Sequence, residues 1–405
     1  MAAKYRLICT QCGHDCGTFS EWFANGQKCP KCSCARAEGE YSADIPAPKK
    51  GFKGSFLEKY FDILPLESRE NIVSFGEGCV PIERYGSLEK WAREECGVEC
   101  EIYLVRNDLS EGTGTFKDPA AAMAASLLKE HGINRYCIAS TGNSATAFAC
   151  YLAKAGIACT VFMPIDASPD SIAQIREYGQ ECVVVNGNYG AAKAAAAKVA
   201  AENGWLICGG NTDPIRIEGK RTFVYELLEY FDGRMPDYYF QAVAGGTMPI
   251  ALDKGARELA SRGVDVKLPR VMLVQQDGCD PMVQAWERAT KTGFPEGWEK
   301  NFPSIEPKTK ISILSAGTPG MYPIVAPIVR KSGGTFIRIK ESEVVPQGRE
   351  IWRNSNAQFG PASVVCIMGF IEAVRKGLIE NGSKVLLNPG EGCTRNSAFM
   401  QEMTK

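Results

Sequence analysis

Two pairs of cysteines near the start of the chain have the spacing of a zinc ribbon. Each pair is a C-x-x-C turn, and sixteen residues separate the two turns, which are formed by Cys9, Cys12, Cys29 and Cys32. Two such turns can supply the four thiolates of a tetrahedral structural zinc site. We therefore expect a zinc ribbon over residues 1–36. Spacing alone leaves open whether a neighbour replaces one of these ligands, the candidates being His14, Cys16 and Cys34.

A lysine that could react as an amine lies in the stretch GTGTFKDP, residues 112–119. We expect Asp118 to cap a helix, with Pro119 at its first position and Gly132 after its end. Lys117 would then stand at the positive end of the helix dipole, which disfavours an ammonium group and makes a neutral amine more available. A neutral lysine amine can form a Schiff base with an aldehyde. A solvated loop lysine is the alternative reading of this stretch.

Two turns between a predicted strand and a predicted helix could hold an anion. One is the Ser-Thr-Gly-Asn turn at residues 140–143, and the other contains Gly245, Gly246 and Thr247, with Pro249 opening the helix. Backbone N–H groups converge at such turns, and glycine lets an anion approach closely, so a phosphate fits. Neither turn matches a nucleotide-binding motif. A tight connection without a ligand is the alternative for each turn.

The composition is that of an ordinary globular protein with small-molecule partners. The chain has 405 residues, 45% of them hydrophobic and 23% charged, and its formal net charge is -1, which gives no reason to expect nucleic acid or an anionic membrane as a partner. No apolar run approaches the ~20 residues of a membrane span, and the N-terminus lacks the pattern of a secretory signal. We therefore expect a cytoplasmic protein whose 17 cysteines are reduced and mostly buried.

Short β-rich runs alternate with Ala-rich helical stretches through most of the chain. Before them, residues 37–55 are polar and predict a loop, and a helical segment follows that Pro65 ends. The alternation predicts parallel sheets with helices on both faces, arranged as two doubly wound α/β domains whose cleft is the default ligand site. The predicted strands are residues 136–140, 159–164, 181–187, 205–209, 238–244, 270–276, 334–339 and 383–388.

A lysine suited to a Schiff base, a phosphate cradle and a polar turn together indicate pyridoxal phosphate. At these residues the sequence resembles the threonine synthase group of the fold-type II pyridoxal-phosphate enzymes, some of which carry a zinc ribbon. The resemblance implies a fold of the tryptophan synthase beta-like class. The matching segments are YFDILP (60–65), FGEGCVPI (75–82), GTGTFKD (112–118), STGNSATAFACYLAKAG (140–156), IRIEGKRTFVYEL (215–227) and the glycine turn at 245–247.

This resemblance and the alternation of elements predict how the chain is divided. Residues 1–36 form the zinc ribbon, and residues 37–110 contain the linker, the helical segment and the first part of a large α/β domain. Residues 111–225 form a small α/β domain with the lysine and the asparagine turn. Residues 226–405 complete the large α/β domain and carry the phosphate cradle.

The resemblance also implies which residues hold the cofactor. Lys117 is the lysine that attaches to pyridoxal phosphate, and Asn143 hydrogen-bonds its phenolic oxygen. The turn at 245–247 holds its phosphate. The partner of the pyridine nitrogen is expected to be Thr394, with Asn388 as the alternative.

Three departures from the usual threonine synthase pattern bear on the reaction. Glu111, Gly112 and Pro119 replace residues of the usual N-P-T-G-S-F-K-D-R; AGGTMPI replaces a richer glycine-asparagine loop; and NPGEG replaces T-G-H-G. This set is similar to the cysteate synthase branch, which converts O-phospho-L-serine and sulfite to L-cysteate and phosphate on the route to coenzyme M. Threonine synthase, acting on O-phosphohomoserine and water, is the first alternative. A general serine or cysteine lyase or synthase and an inactive zinc-ribbon binding protein are the others.

The reaction implied by that branch has an oxyanion as leaving group and another as nucleophile, so its pocket should hold cationic donors. The candidates are Arg106, Lys220 and Arg221, together with Thr141 in the polar turn and, less directly, Asp108. Solvated or paired charges are the alternative for each. Members of the family often form dimers or trimers, so a homo-oligomer is expected.

Overall fold

The computed structural model describes residues 3–355, 357, 359–394 and 396–405, which fall into two compact units. Unit 1 comprises Met1–Cys79, Ser110–Thr113 and Lys117–Glu229, and unit 2 comprises Val80–Leu109, Gly114–Phe116 and Tyr230–Lys405. The N-terminal cysteines and Lys117 thus belong to unit 1, and the glycine turn at 245–247 belongs to unit 2.

Strands and helices alternate along most of the chain. The strands of the described residues are β1 (Tyr5–Cys9), β2 (Ala37–Tyr41), β3 (Ile82–Arg84), β4 (Cys100–Val105), β5 (Arg135–Ala139), β6 (Ala158–Pro164), β7 (Glu181–Val185), β8 (Leu206–Ile207), β9 (Tyr238–Ala242), β10 (Arg270–Gln276), β11 (Thr335–Ile339) and β12 (Ser383–Leu387). The α-helices of the same residues are α1 (Phe19–Ala24), α2 (Phe56–Lys59), α3 (Gly86–Cys96), α4 (Asp118–Glu130), α5 (Asn143–Lys154), α6 (Pro169–Glu177), α7 (Tyr189–Asn203), α8 (Pro214–Arg221), α9 (Phe223–Tyr230), α10 (Thr247–Ser261), α11 (Pro281–Lys291), α12 (Tyr322–Lys331), α13 (Val344–Asn354), α14 (Pro361–Arg375) and α15 (Ser397–Thr404). Among these residues, no helix is both long and apolar enough to cross a bilayer.

Unit 1 contains an antiparallel pair, β1–β2, and a parallel sheet in the order β7-β6-β5-β8. The parallel sheet confirms the strand–helix alternation read from the sequence. The predicted loop from residue 37 onward is wrong for Ala37–Tyr41, which pairs with β1 along its whole length. Ala37, Gly39 and Tyr41 are buried, while the glutamates between them are more exposed. This alternation of buried and exposed residues is typical of a strand, but five residues are too few for the sequence to predict one.

Unit 2 is built on one mixed sheet in the order β11-β10-β9-β12-β4-β3, parallel except for β3, which runs antiparallel to β4. The four runs predicted from residue 238 onward are confirmed as β9 to β12. Strands β3 and β4 were not predicted, because they precede the regular alternation. The core beneath the sheet includes Phe240, Val274 and Leu387 packed with the largely apolar, buried α14.

The helix after Lys117 begins one residue earlier than the sequence predicts. Lys117 is the N-cap of α4 and Asp118 its first residue, because the Asp118 carboxylate accepts bonds from the preceding loop. The far end is as predicted: α4 stops at Glu130, and Gly132 adopts a left-handed φ of 66°.

Helix α8 lies very close to the first turn of α4 at Gly219. A Cβ atom at residue 219 would lie 2.7 Å from the Pro119 carbonyl oxygen and 3.0 Å from Ala120 Cα. The carbonyl oxygen and Cα belong to the backbone of a buried helix, which cannot move aside like a flexible side chain. Only glycine allows this contact between α8 and α4.

We predict that Gly219→Val lowers the free energy of unfolding by ~1–3 kcal/mol, because it overpacks the contact with α4. Urea denaturation followed by circular dichroism measures the effect. Gly86→Ala is the matched control: Gly86 is an exposed helical residue whose added Cβ would meet no heavy atom within 4 Å. An equal loss of stability in both variants would contradict the assignment.

Candidate active site

The loop before Lys117 is fixed by the buried carboxylate of Asp118. This carboxylate accepts hydrogen bonds from Ser110 Oγ and Thr113 N, both at 2.8 Å, and from the Thr113 hydroxyl. Charge-assisted bonds of this kind are stronger than those between neutral groups. The position of the lysine is therefore set on one side by the start of α4 and on the other by a clamped loop.

Tyr151 and Glu77 lie directly under this loop. A Cβ atom at Gly112 would overlap the Tyr151 hydroxyl, so the departure from the usual proline at this position has a steric reason. The Tyr151 hydroxyl donates to Glu77 Oε2 at 3.0 Å, and Ser74 Oγ and Phe75 N donate to the same oxygen. Glu77 Oε1 is buried and has no hydrogen-bond partner, and burial raises the pKa of the Glu77 carboxyl.

A second lysine amine is buried close to Lys117. Lys220 follows Gly219 on α8 and is only 3% exposed. Burial lowers the pKa of Lys220 well below 10.5, the charges of Lys117 and Arg216 lower it further, and Asp118 acts in the opposite direction. Lys220 is thus buried on the helix that packs against α4, the helix at whose start Lys117 lies.

Arg216, which was not predicted as a site residue, adds a third positive charge. Its Nη2 donates to Ser144 Oγ at 3.0 Å, while its Nε is buried without a hydrogen-bond partner. Arg216 stands four residues before Lys220 on α8, a spacing that puts both on one helix face and could have drawn attention to it. We call Lys117, Arg216 and Lys220 the cationic cluster.

The polar turn predicted at residues 140–143 lies at the start of α5, beside Ser144. Ser140 is buried, and its Oγ accepts from Gly142 N and Ala145 N, each at 3.2 Å. Asn143 is buried as the first residue of the helix, and Thr141 is half-buried. The turn thus places polar groups and the positive end of a helix next to the residue that Arg216 contacts.

In unit 2, the glycine turn has the form expected of a phosphate cradle. Strand β9 ends at Ala242 and α10 begins at Thr247, with Gly246 as its N-cap at a φ of 91°. A Cβ at residue 246 would lie 2.6 Å from Val325 Cγ2, so both backbone conformation and space require glycine at this position. The first N–H groups of a 15-residue helix have no partner within the helix and can bind a phosphate.

Two arginines that the sequence predicts to bind anions donate hydrogen bonds to carboxylates of the protein instead. Arg106 forms two bonds to Asp108, at 2.9 and 2.7 Å, and one to Glu83 at 2.6 Å, and these carboxylates raise the pKa of Arg106. Arg221 is fully buried, and its Nε donates to Glu218 at 2.8 Å. Both charges are already neutralised by carboxylates, which favours structural roles over substrate binding.

The two candidates for the pyridine nitrogen differ in their surroundings. Thr394 is exposed, whereas Asn388 is buried at the end of β12. Asn388 Oδ1 accepts from Asn107 at 2.6 Å, and its Nδ2 donates to the Tyr239 hydroxyl at 2.5 Å. Of the two residues, only Asn388 lies in a buried polar network, which already uses both its oxygen and its nitrogen, and the partner of the pyridine nitrogen stays a prediction.

Within unit 2, residues 114–116, just before Lys117, contact the NPGEG segment at residues 388–392. Phe116 N donates to Gly390 O at 3.2 Å, and Gly392 N donates to Gly114 O at 3.0 Å. Between these glycines, Glu391 is buried, and its carboxylate accepts from Ala362 N at the start of α14 at 3.1 Å. Residues 114–116 are therefore joined to Gly390 and Gly392 of the NPGEG segment, which is one of the three departures from the threonine synthase pattern.

The N-terminal cysteines fit a zinc ion. The Sγ atoms of Cys9, Cys12, Cys29 and Cys32 all lie within 4.8 Å of one another, and the described residues contain no other such cluster of three or more His, Cys, Asp or Glu. Neighbouring sulfurs are 3.5 and 3.6 Å apart. A tetrahedron with Zn–S bonds of ~2.3 Å has edges of about 3.8 Å, so these thiolates can bind zinc with little movement.

Comparison with known proteins identifies the family. A family model described as pyridoxal-phosphate dependent enzyme matches residues 73–390. The chain belongs to this pyridoxal-phosphate dependent enzyme family. The match includes the cationic cluster, the polar turn and the glycine turn.

Relatives of this pyridoxal-phosphate enzyme include proteins named threonine synthase. That of Methanocaldococcus jannaschii is 28% identical over 82% of this chain and 79% of its own length. That of Methanosarcina acetivorans is 26% identical over 94% of this chain and 90% of its own length. The chain is thus a threonine synthase-like member of the family.

Several solved structures have the same fold as this chain. Maize serine racemase matches with a TM-score of 0.65 at 16% identity, over 83% of this chain and 96% of that chain. A diaminopropionate ammonia lyase from Escherichia coli matches with a TM-score of 0.64 at 16% identity, over 82% of this chain and 90% of that chain. At this identity the likeness establishes the fold alone, and it confirms the fold-type II prediction.

We predict that Tyr151→Phe destabilises unit 1 by ~1 kcal/mol, because it removes the 3.0 Å bond to the buried Glu77 carboxylate. Urea denaturation measures the change. Tyr60→Phe is the matched control, since the Tyr60 hydroxyl is buried without a hydrogen-bond partner and its removal should cost nothing. The role of the Tyr151 bond is rejected if the control loses as much stability as Tyr151→Phe.

We predict one zinc ion per chain, held by the four clustered cysteines. Cys29→Ser should abolish zinc in the purified protein, and Cys34→Ser, which changes a cysteine outside the cluster, should leave it in place. Elemental analysis of protein purified without added chelator makes the measurement. A zinc-free wild type, or zinc lost from Cys34→Ser alone, would show the assignment to be wrong.

Proposed function

We propose that this enzyme is a cysteate synthase, which converts O-phospho-L-serine and sulfite into L-cysteate and phosphate. The cationic cluster carries the proposal. It consists of Lys117, Arg216 and Lys220, and the charges of Lys117 and Arg216 both act on the buried Lys220, so the cluster suits a reaction in which one oxyanion leaves and another arrives. The departures at Glu111, Gly112 and Pro119 and in the NPGEG segment support a change of substrate handling relative to threonine synthases.

The proposal keeps most of the cofactor residues that the resemblance implies. In unit 1, Lys117 attaches to pyridoxal phosphate and Asn143 bonds its phenolic oxygen. In unit 2, the turn at 245–247 holds the phosphate, and Asn388 is preferred to Thr394 near the pyridine nitrogen. When bound, pyridoxal phosphate supplies an aldehyde for attachment of the amino acid and an electron sink for negative charge at its α-carbon.

The side chains of unit 1 perform the remaining steps. The Lys117 amine removes the proton from the substrate α-carbon and returns it at the end of the reaction. Arg216 and Lys220 hold the departing phosphate and then the incoming sulfite, while the turn at 140–143, including Thr141, binds the substrate carboxylate. Arg106 and Arg221 are not assigned to the site, because each guanidinium group already forms an ion pair with a carboxylate.

Threonine synthase is the alternative function, and the names of the relatives favour it. It would use the same lysine and the same phosphate leaving group, but its substrate is one carbon longer and its nucleophile is water. A charged nucleophile needs more fixed positive charge in the pocket than water does. The buried Lys220 beside Arg216 is therefore the feature that favours sulfite.

We predict that the purified enzyme forms cysteate from O-phospho-L-serine only when sulfite is present, and that Lys117→Ala loses both turnover and the visible absorbance of the lysine-bound cofactor. Amino-acid analysis and an absorbance scan provide the two readouts. Lys198→Ala, which changes a lysine with a 75% exposed side chain, should retain both. Threonine formed from O-phosphohomoserine, with no cysteate from O-phosphoserine, would overturn the first choice in favour of the alternative.

A further inference from the structure

Helix α8 connects two parts of unit 1, the polar turn and the N-terminal ribbon, by which we mean β1, β2 and the four clustered cysteines. Glu218 is fully buried, and its carboxylate accepts from Gly39 N at 3.0 Å and from the Tyr41 hydroxyl at 2.6 Å, both on β2. Two residues earlier on α8, Arg216 donates to Ser144 Oγ at 3.0 Å in the first turn of α5. Residues two apart project about 200° apart around a helix, so α8 contacts the N-terminal ribbon on one side and the polar turn on the other.

The two donors on β2 are held in place by the strand that ends in a ribbon cysteine. Gly39 pairs with Leu7 and Tyr41 with Tyr5, and Cys9 is the last residue of β1. A two-stranded pair in so short a segment has too little core to be stable by itself. Binding of a zinc ion by four thiolates adds stability to such a segment. The metal therefore stabilises the strand pairing that sets the position of both donors.

A second contact leads from the N-terminal ribbon to the surroundings of Arg216. Gln27, two residues before Cys29, accepts through its side-chain oxygen from Ile207 N of β8 at 3.1 Å. The next residue, Cys208, has its Sγ atom 3.9 Å from Nη1 of Arg216. One contact thus starts beside each of the two cysteine turns, and both lead towards the same arginine.

We propose that the N-terminal ribbon is a positioning element of the active site: its bound zinc fixes the donors to Glu218 and so keeps α8 and Arg216 in place beside the polar turn. A buried carboxylate that loses two of its donors is costly, so α8 loosens or shifts when the metal leaves. The coupling passes through directly bonded elements of one compact unit. The inference rests on the predicted zinc site, and it holds whichever substrate the enzyme uses.

Hydrogen exchange measured by mass spectrometry on the cofactor-loaded enzyme, before and after removal of zinc with a chelator, tests the proposal. We expect the amides of α8 to exchange about tenfold or more faster without zinc, because the helix opens locally more often. The visible absorbance of the bound cofactor should change as well, since α8 packs against the helix that begins after Lys117. Helix α6 of the same unit and α14 of unit 2 should exchange as before, and added zinc should reverse both changes.

Tyr41→Phe separates the contact with Glu218 from the metal. It removes the 2.6 Å bond but keeps the cysteines and the ring that lies 4.5 Å from the guanidinium carbon of Arg221. We expect faster exchange of α8, by about threefold or more, with the zinc content unchanged. Tyr103→Phe is the matched control, because it removes a 2.7 Å bond from a tyrosine hydroxyl to Glu101 in unit 2 and should leave the exchange of α8 unchanged.

Unchanged exchange of α8 after the zinc has left overturns the inference. An equal increase in α8 and α6 also overturns it, since unit 1 would then loosen as a whole, and so does a wild type that is purified without zinc. If chelation leaves the metal in place, Tyr41→Phe decides alone, and exchange of α8 as slow as in Tyr103→Phe rejects the proposal. Neither readout uses a substrate, so failure to form cysteate would overturn only the proposed function.

Discussion

The close contact of α8 with α4 is the constraint on which the rest of the site depends. It exists because residue 219 has no side chain, so two helix backbones meet where any Cβ would overlap a carbonyl oxygen. The contact sets Lys220 beside the loop of Lys117, and the helical spacing then sets Arg216 on the same face. One glycine therefore decides how much positive charge surrounds the lysine.

The opposite side of α8 is tied to the N-terminal segment. Glu218 receives bonds from Gly39 and Tyr41 of β2 and from Arg221 on its own helix, and Arg221 also donates to the Ile63 carbonyl oxygen. Alternate residues of one short helix thus serve two purposes. Arg216 and Lys220 belong to the candidate site, while the residues between and after them join the helix to the strand that follows the ribbon cysteines.

Much of the fold and part of the site could be predicted from the sequence, because those features have local causes. The parallel strands from residue 135 onward, the start of α10 at the glycine turn and the left-handed Gly132 follow from periodicity, caps and turn residues. The position of Lys117 at a helix start could be predicted because a glycine-rich loop precedes it and Asp118 and Pro119 follow it. The ribbon cysteines could be recognised because their spacing is itself the signal.

Several features of the structure depend in part on partners far along the chain. Arg221 looked like a substrate cation, but its partners include Ile63, 158 residues away, and Arg106 is held by Glu83, 23 residues away. Strand β2 is a strand because β1 pairs with it, and Asn388 is enclosed by Asn107 and Tyr239, both far from it along the chain. The carboxylates of Asp108 and Glu218, in contrast, lie two and three residues from these arginines, so that part of their pairing is visible in the local sequence.

The fit of Gly112 over the Tyr151 hydroxyl constrains how this protein can diverge from its relatives. In this backbone, a side chain at position 112 and a tyrosine at position 151 exclude each other, since they would occupy the same space. A larger residue at position 112 therefore requires a smaller side chain at position 151, or a displaced tyrosine ring. A displaced ring would in turn give up its bond to Glu77.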